Sequence, residues 1–348
     1  MKSASGCIYL EGRFRQGSVE LSRGRFIVSK QLNESADVKG LILPKTVNCH
    51  THLGDAFISK PAKCTVEELV APPNGLKHRM LRMISEEQQV SSMREAISMI
   101  AAEGTSHFID FRECGLEGVR RLLIASLGSG VVPVILGRPE SQDVDEISAL
   151  LSVADGLGLS AVSDVDYDFL SQISEHARAS NKIFAMHASE VRNEDIGKIL
   201  DLKPDLLVHM IESSISDLKE CGSAGVPIVV CPTSNSFFGL KPPIRNMLDA
   251  GIRVCLGTDN AMLAKPGMIT EVRALRHMFP EKLLTEQEMM AMAFDNGRKV
   301  LNSLPGLGDE NGEHPDFFVI EAPVEEPFKS VLSARAKNIH LFNREEIS

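Results

Sequence analysis

The sequence predicts an α/β fold, a (β/α)8 TIM barrel with a small β-sandwich domain built from both chain ends. Two observations support this prediction. Apolar strand-like runs alternate with helical patterns eight times along the middle of the chain, and both ends are rich in short strands. A length of 348 residues is enough for one large domain and one small one.

The two chain ends carry the strand-like segments of the smaller domain. Neither end is long enough to bury a core by itself, so the economical arrangement pairs them. We expect residues 1–46 and 305–348 to form one composite β-sandwich domain. Its predicted strands are Cys7–Leu10, Ser18–Leu21, Arg25–Val28, Asp316–Ile320 and Asn338–Phe342.

Residues 47–304 carry the pattern of the barrel. Segments with helical periodicity, such as Met93–Glu103, Asp168–Ser180 and Ser216–Ala224, separate the apolar runs. A doubly wound open sheet is the alternative, but it would not gather polar residues from so many strand ends. The eight predicted strands are Val47–Leu53, Ser106–Phe111, Val131–Leu136, Gly158–Val162, Ile183–His187, Leu206–Met210, Pro227–Cys231 and Arg253–Gly257.

Residues 55–85 form the longest stretch without a clear assignment. A long loop inside a compact domain is usually functional or disordered. Because this stretch follows the first barrel strand, it would lie at the C-terminal face of the barrel, where TIM-barrel enzymes carry their active sites. We expect it to cover the site there.

The composition is that of a soluble protein from a reducing compartment. The net charge of −10 argues against general nucleic-acid binding. The seven cysteines form no CxxC pair, and no apolar run resembles a signal peptide or a membrane span. We therefore expect a cytoplasmic protein with neither nucleic-acid nor membrane partners. The composition leaves open whether it forms a homo-oligomer.

His50 and His52 stand at the end of the first predicted barrel strand. Residues two apart on a strand point the same way, so the two imidazoles can share one metal ion, and Cys49 between them should face away and pack. With 10 histidines in the chain, chance produces such a pair roughly 0.3 times. Two histidines hydrogen-bonded in a turn are therefore the alternative unless further ligands exist.

Further candidates follow other predicted strands. His187 and Glu190 come after the fifth strand, His209 ends the sixth, and Asp259 follows the eighth. A single histidine or aspartate at such a place is more often a cap or a packing residue. Together they would bring histidines, a carboxylate and a spare acid to one barrel mouth. That set suits a catalytic divalent ion with an open position for water.

Several ordered motifs, spread over nearly the whole chain, resemble those of the amidohydrolase superfamily. The resemblance is to the one-metal branch that contains the cytosine deaminases and the S-adenosylhomocysteine and guanine deaminases. The motifs that carry it are Val47–His52 with its His-x-His pattern, His187-x-x-Glu190, His209, Cys231-Pro232-Thr233-Ser234-Asn235, Ile244–Gly251, Leu256–Asn260 and Ala293–Gly297.

The resemblance implies a fold, a cofactor and residue roles. The ligands of one divalent ion per chain, zinc or alternatively iron, would be His50, His52, His187 and Asp259. His209 would hydrogen-bond the hydrolytic water, Asp259 would accept its proton, and Glu190 would pass a proton to a ring nitrogen of the substrate. Related two-metal enzymes use a carbamylated lysine on the fourth strand, and no lysine occurs between Lys77 and Lys182.

An aminohydrolase is the function that the resemblance implies. It would remove an exocyclic amino group from a small heterocyclic substrate such as a purine, pyrimidine or pterin. One alternative keeps the site and changes the leaving group, as in a ring amide hydrolase or a chlorohydrolase. The other is a non-catalytic binding protein on the same fold. Retention of all six site residues argues against it, since binding alone needs no proton transfer.

Cationic residues near the predicted barrel mouth suggest a substrate that carries a carboxylate or phosphate. Arg112 and Glu113 follow the second strand, Arg138 follows the third, and Lys77 and His78 lie in the covering stretch. The alternative is that each arginine makes a local salt bridge, for instance to Glu113 or Glu140. The candidate substrate contacts are Arg138, Glu113, Arg112, His78 and Asn235.

Overall fold

The structure, a computed structural model, describes residues 1–307 and 315–342, which form two sheets and the helices around them. The strands are β1 (Ser3–Leu10), β2 (Arg13–Ser22), β3 (Arg25–Ser29), β4 (Val38–Pro44), β5 (Thr46–His52), β6 (Thr105–Arg112), β7 (Val132–Gly137), β8 (Gly156–Leu159), β9 (Ile183–Ala188), β10 (Leu206–His209), β11 (Ile228–Val230), β12 (Val254–Leu256), β13 (Asp259–Asn260), β14 (Phe317–Ile320) and β15 (Ile339–Leu341).

Helices follow most of these strands. They are α1 (Val66–Leu69), α2 (Leu76–Leu81), α3 (Glu86–Ala102), α4 (Gly115–Ser126), α5 (Val144–Val153), α6 (Tyr167–Ala179), α7 (Ile196–Asp201), α8 (Ile215–Ala224), α9 (Pro232–Phe238), α10 (Ile244–Asp249), α11 (Met268–Met278), α12 (Glu286–Phe294), α13 (Asn296–Leu301) and α14 (Pro327–Ser333). No helix in the described residues is both long and apolar enough to span a membrane.

The larger sheet is parallel and runs in the order β12-β11-β10-β9-β8-β7-β6-β5-β13. β12 and β13 are two parts of one extended segment, which is interrupted at Gly257 and Thr258. The first part pairs with β11 and the second with β5, so this eighth strand closes the barrel. The predicted (β/α)8 architecture is thereby confirmed.

All eight predicted runs contain a barrel strand, although the fourth is displaced. The sequence pattern suggests Gly158–Val162, whereas β8 covers Gly156–Leu159. A Cβ on Gly156 would lie 2.1 Å from the carbonyl oxygen of Ile183, so the strand begins at a glycine that allows this close approach.

The smaller sheet draws on both chain ends, in the order β15-β14-β4-β1-β2-β3. The described residues form one six-stranded sheet, where the sequence suggested two stacked ones. The strands predicted for this domain did not include β4. Parts of the predicted 305–348 segment, residues 308–314 and 343–348, lie outside the described residues.

Residues 55–85, which we name the cover segment, contain α1, α2 and little other regular structure. The segment packs through an apolar cluster that includes Ile58 and Leu69, and this cluster also contains Met262 and Leu263, which follow Asp259. The stretch after the first barrel strand is therefore held against the stretch that follows the last one. This arrangement places the cover segment over the C-terminal face of the barrel.

Candidate metal centre

The end of β5 departs from regular pairing, and this departure shapes the site. The register between β5 and β6 shifts between Asn48 and Thr51, which marks a bulge. Cys49 is buried in the same cluster as Phe111, whose ring contacts His50. The bulge interrupts the two-residue alternation on which the expectation for the orientation of Cys49 rests. Its role as a packing residue in the barrel is retained.

Neighbouring strands hold the end of β5 in place. The Asp110 carboxylate accepts hydrogen bonds from the Thr51 hydroxyl at 2.8 Å and from the Leu53 amide at 2.7 Å. On the other side, Thr258 donates its backbone N–H to the carbonyl of His50 at 3.0 Å. A Cβ on Gly257 would lie 2.7 Å from that of His50, so glycine is required for the strands to meet.

Two of the histidines have their tautomers set by backbone carbonyls. Nδ1 of His52 lies 3.0 Å from the carbonyl of Phe111, and Nδ1 of His187 lies 2.8 Å from the carbonyl of Leu159. A carbonyl can only accept, so each Nδ1 carries the proton and each Nε2 presents a lone pair. These two Nε2 atoms are 3.3 Å apart, and Nε2 of His50 is 3.3 Å from that of His187.

Asp259 completes the set. Its Oδ1 lies 3.4 Å from Nε2 of His50 and 3.7 Å from Nε2 of His52. Its Oδ2 accepts a hydrogen bond from the Ser234 hydroxyl at 2.6 Å, which turns Oδ1 towards the histidines. Atoms bound about 2.0–2.2 Å from a tetrahedral zinc ion lie about 3.3–3.6 Å from one another. The distances from Nε2 of His187 to the other two histidines, and from Oδ1 of Asp259 to His50 and His52, are close to this spacing. Among the described residues, potential ligand atoms lie within 4.8 Å of one another in two groups, His50 with His52 and Asp259, and His50 with His187 and His209. These residues therefore form a candidate metal site.

The protonation states also suit a cation. Burial lowers the pKa of His50 and His187, and it lowers that of His52 to about 3 with a contribution from the nearby Lys77 charge. Burial alone would raise the pKa of Asp259, but the hydrogen bond and charge of His50 and the other histidines hold it well below its usual range. The centre therefore presents neutral imidazoles and an ionised carboxylate, as metal binding requires.

Glu190 and His209 stand beside this centre. Oε1 of Glu190 lies 3.6 Å from Nε2 of His209, and the glutamate side chain is 17% exposed, so a ligand can reach it. Burial raises the pKa of the Glu190 carboxyl, an effect that the Asp259 charge reinforces and the His209 charge opposes. The pKa values of the two acids are thus shifted in opposite directions, which favours the ionised form of Asp259 and the neutral form of Glu190.

Backbone strain is concentrated at the same place. His209 has a φ angle of 78°, Asp259 of 59° and Ser189 of 47°, although none is a glycine. Such conformations cost about 1–3 kcal/mol each and persist where the surrounding structure imposes them. Their coincidence with the candidate site is typical of functional residues.

A cavity of about 280 Å³ opens above the centre. The site residues His52, His187, Glu190, His209 and Asp259 line one part of it. Its remaining wall comes from the cover segment, from the loops that follow β7, β8 and β9, and from β13. These residues are Val66, Glu67, Val70, Ala71, Pro72, Lys77, Arg138, Ser160, Ala161, Ser163, Asp164, Val191, Arg192, Glu194 and Asn260.

Arg112 and Glu113, which the sequence suggested as substrate contacts, are buried and do not line this cavity. Arg112 Nη2 lies 2.5 Å from Glu113 Oε2, and Nη1 lies 3.3 Å from Asp110 Oδ1. A Cβ on Gly54 would lie 1.9 Å from Arg112 Nη2, so this glycine leaves room for the guanidinium. We therefore assign both residues to the support of the β5 end, not to substrate binding.

Of the other suggested substrate contacts, one lines the cavity and two do not. Arg138 lines the cavity, and its Nε donates to the carbonyl of Gly158 at 3.4 Å. The alternative of a local salt bridge holds for Arg112, which pairs with Glu113, whereas Arg138 makes no ion pair within the described residues. His78 instead contacts the carbonyl of Val70 at 3.0 Å inside the cover segment. Asn235 is fully buried and does not line the cavity.

Sequence reasoning missed three residues that the structure brings to the site. Ser234 orients Asp259, and Asn260 donates to the buried Asp55 at 2.8 Å. Asp164 lines the cavity after β8. Ser234 and Asn260 lie inside motifs that the sequence singles out, so their positions were a usable signal. Asp164 carried none.

Acid should destabilise the metal-free protein through the buried histidines. The folded pKa of His52 is about 3 against an ordinary 6.5, so the unfolded chain takes up the proton first as the pH falls below 6.5. The free energy of unfolding therefore decreases from about pH 6.5 towards about pH 5, by up to about 1.4 kcal/mol per pH unit for this group. Urea unfolding at a series of pH values, in the presence of a chelator, measures this decrease in the free energy of unfolding.

The matched variants are His52→Asn and His277→Asn, the latter at an exposed histidine. We expect the His52 variant to show a shallower pH dependence by about one proton, and the His277 variant to follow the wild type. Identical slopes in all three proteins would show that His52 is not buried in its neutral form.

Comparisons with known proteins agree with this geometry. An uncharacterized protein of Methanocaldococcus jannaschii is 32% identical over 323 residues, covering 86% of this chain and 84% of that protein. A 5-methylthioadenosine/S-adenosylhomocysteine deaminase of Pyrococcus abyssi is 25% identical over 370 residues, covering 92% and 84%.

Solved structures share the fold at low sequence identity. A guanine deaminase from C. acetobutylicum, with guanine bound in its active site, has a TM-score of 0.75 at 16% identity and covers 97% of each chain. An atrazine chlorohydrolase from Arthrobacter aurescens, solved with zinc, has a TM-score of 0.75 at 16% identity and covers 100% of this chain and 97% of that one. The amidohydrolase family model matches residues 41–339, and the protein belongs to this family.

Proposed function

We propose that the protein is a metal-dependent aminohydrolase that releases ammonia from an exocyclic amino group of a small heterocycle. The observation that carries this proposal is that two carboxylic acids with opposite pKa shifts lie beside the candidate metal ligands. Asp259 and Glu190 both line the cavity, the first with a lowered pKa and the second with a raised one. Hydrolytic deamination needs one group that accepts a proton and another that donates one.

The cofactor that fits is a single divalent ion held by His50, His52, His187 and Asp259. Nitrogen and oxygen donors at tetrahedral spacing favour zinc, and iron is the alternative. When bound, such an ion lowers the pKa of a coordinated water towards neutrality and so supplies a nucleophile. Of these residues, His50 is fully buried, whereas the other three also line the cavity.

The remaining chemistry falls to side chains. The neutral Glu190 carboxyl donates a proton to a ring nitrogen, which makes the amino-bearing carbon more electrophilic. Asp259 takes up the proton of the attacking water, with its second oxygen held by Ser234, and returns it to the departing amino group. His209 stands 3.6 Å from Glu190 and can hydrogen-bond the oxygen that adds to the carbon.

Three alternatives remain on the same fold. The fold shared with an atrazine chlorohydrolase favours a different leaving group, halide in place of ammonia. A ring amide hydrolase would use the same acids to open a ring. A binding protein without catalysis would need no proton-donating acid beside the centre, so the surroundings of Glu190 speak against it.

A panel of heterocycles separates these functions. Aminopurines, aminopyrimidines and aminopterins are tested beside their chloro and cyclic-amide counterparts, with assays for ammonia, chloride and the mass of the product. We expect ammonia release with replacement of the amino group by oxygen. Chloride release alone, or a gain of water without ammonia, would favour the other hydrolases, and tight binding without turnover would favour the binding protein.

Glu190→Gln tests the assignment of the proton donor. The variant keeps the size of the side chain and removes the acidic proton, so we expect kcat to fall about a hundredfold to ten-thousandfold. Metal content, measured by elemental analysis, should stay at the wild-type level. Glu212→Gln, at an exposed glutamate three residues after His209, is the matched control. Loss of the metal in the Glu190 variant would instead make this residue a ligand.

Arg138 supports a substrate with a negatively charged substituent. It is the one arginine in the described cavity wall without an ion pair, since Arg192 Nη2 lies 3.7 Å from Asp164 Oδ1. A half-buried guanidinium with free donors favours a carboxylate or phosphate partner. We propose that Arg138 binds such a group on the part of the substrate that does not react.

Arg138→Met should raise the KM for an anionic heterocycle about tenfold or more, because a charge-assisted hydrogen bond is lost. The KM for a neutral analogue should change little. Arg192→Met removes an equal charge from the same cavity and serves as the control. If both variants affect both substrates alike, Arg138 does not recognise the charge of the substrate.

A further inference from the structure

Lys77 carries the buried charge of the cover segment. Its side chain is 3% exposed, and it lines the cavity beside the candidate metal centre. Its Nζ lies 2.6 Å from Oε1 of Glu113, the residue that directly follows β6, the second barrel strand. A buried ammonium is costly unless it is paired, so this position depends on the carboxylate of Glu113.

Glu113 contacts the metal-site histidine through the same oxygen. Its Oε1 lies 2.8 Å from Nδ1 of His52, while Oε2 accepts a hydrogen bond from Arg112 at 2.5 Å. The Nδ1 proton of His52 is directed at the carbonyl of Phe111, and Oε1 therefore acts on the imidazole by its charge. One oxygen atom thus separates the ammonium of the cover segment from a histidine of the centre.

The carboxylate of Glu113 and the ammonium of Lys77 have opposite effects on a divalent cation at the centre. A carboxylate beside Nδ1 strengthens the imidazole as a donor, and losing such a partner costs about 10–100-fold in metal affinity. An ammonium at the same place repels the ion, and at this depth the repulsion is screened far less than at the surface. Both residues are nearly inaccessible to solvent, so neither effect is dissipated by water.

We propose that Glu113 and Lys77 form an opposed charge pair that sets the affinity of the centre for its ion, with Glu113 strengthening metal binding and Lys77 weakening it. The inference rests on the metal centre of the proposed function. Lys77 belongs to the cover segment, so the charge that weakens metal binding comes from a part of the chain that holds none of the candidate metal ligands.

The direction of the effect distinguishes this role from simple structural support. If the two residues only held the fold together, removing either would weaken metal binding. An opposed pair instead predicts changes of opposite sign. Zinc affinity measured by competition with a chromophoric chelator supplies this readout and does not depend on a substrate.

The variants are Lys77→Met and Glu113→Gln, each close to the size of the native side chain, and their combination. We expect the dissociation constant for zinc to fall about tenfold in the Lys77 variant and to rise about tenfold or more in the Glu113 variant. The double variant should lie between them. Lys63→Met and Glu95→Gln, at exposed residues, should match the wild type.

Visible spectra of the cobalt-substituted proteins check that the ligand set is unchanged, and the d–d bands of Lys77→Met should keep their positions. Weaker zinc binding in both single variants, or an unchanged affinity in Lys77→Met, would overturn the inference and leave the proposed function intact. Absence of zinc binding by the wild type would overturn both. If Glu113→Gln fails to fold, tighter or unchanged binding in Lys77→Met still decides.

Discussion

The rest of the site depends on one constraint, the approach of His50, His52, His187 and Asp259, whose neighbouring ligand atoms lie 3.3–3.7 Å apart. Neutral imidazole nitrogens that face one another at this distance repel unless a cation lies among them. The surrounding structure is arranged to keep them there. Asp110 fixes the end of β5, Gly257 lets the last strand approach it, and Ser234 turns Asp259 inward.

The same burial that gathers these groups separates the two acids. Asp259 lies beside histidines that hold its pKa low against desolvation, whereas Glu190 has weaker compensation and keeps a raised pKa. Two acids that differ by one methylene are therefore shifted in opposite directions at one barrel mouth, as the proposed roles of proton acceptor and proton donor require. The cover segment supplies part of the cavity wall and brings the charge of Lys77 near the centre.

Much of this arrangement follows from local patterns in the sequence. The barrel was predictable because its strands are buried on both faces and appear as continuous apolar runs. Likewise, the residues His50, His187 and Asp259 stand directly at strand ends, where topology alone brings them to one edge. The structure places them together, as the pattern suggested.

Other features depend on long-range packing that no local pattern reports. The bulge in β5 appears only in its pairing with β6, so the sequence alone could not indicate where the side-chain alternation is interrupted. Arg112 follows a strand as catalytic residues do, yet the space left by Gly54 admits its side chain into the interior. Lys77 lies far from any strand end, and its burial against Glu113 follows from how the cover segment folds back.

The measurement that tests the central claim most directly is X-ray absorption spectroscopy of the zinc-loaded protein, combined with elemental analysis. The account predicts one ion per chain with a shell of nitrogen and oxygen atoms at about 2.0–2.2 Å. Three cysteines, Cys49, Cys231 and Cys255, are buried close to one another beside the centre and would provide sulfur ligands if the ion bound elsewhere. A sulfur shell at about 2.3 Å, or two tightly bound ions per chain, would contradict the account.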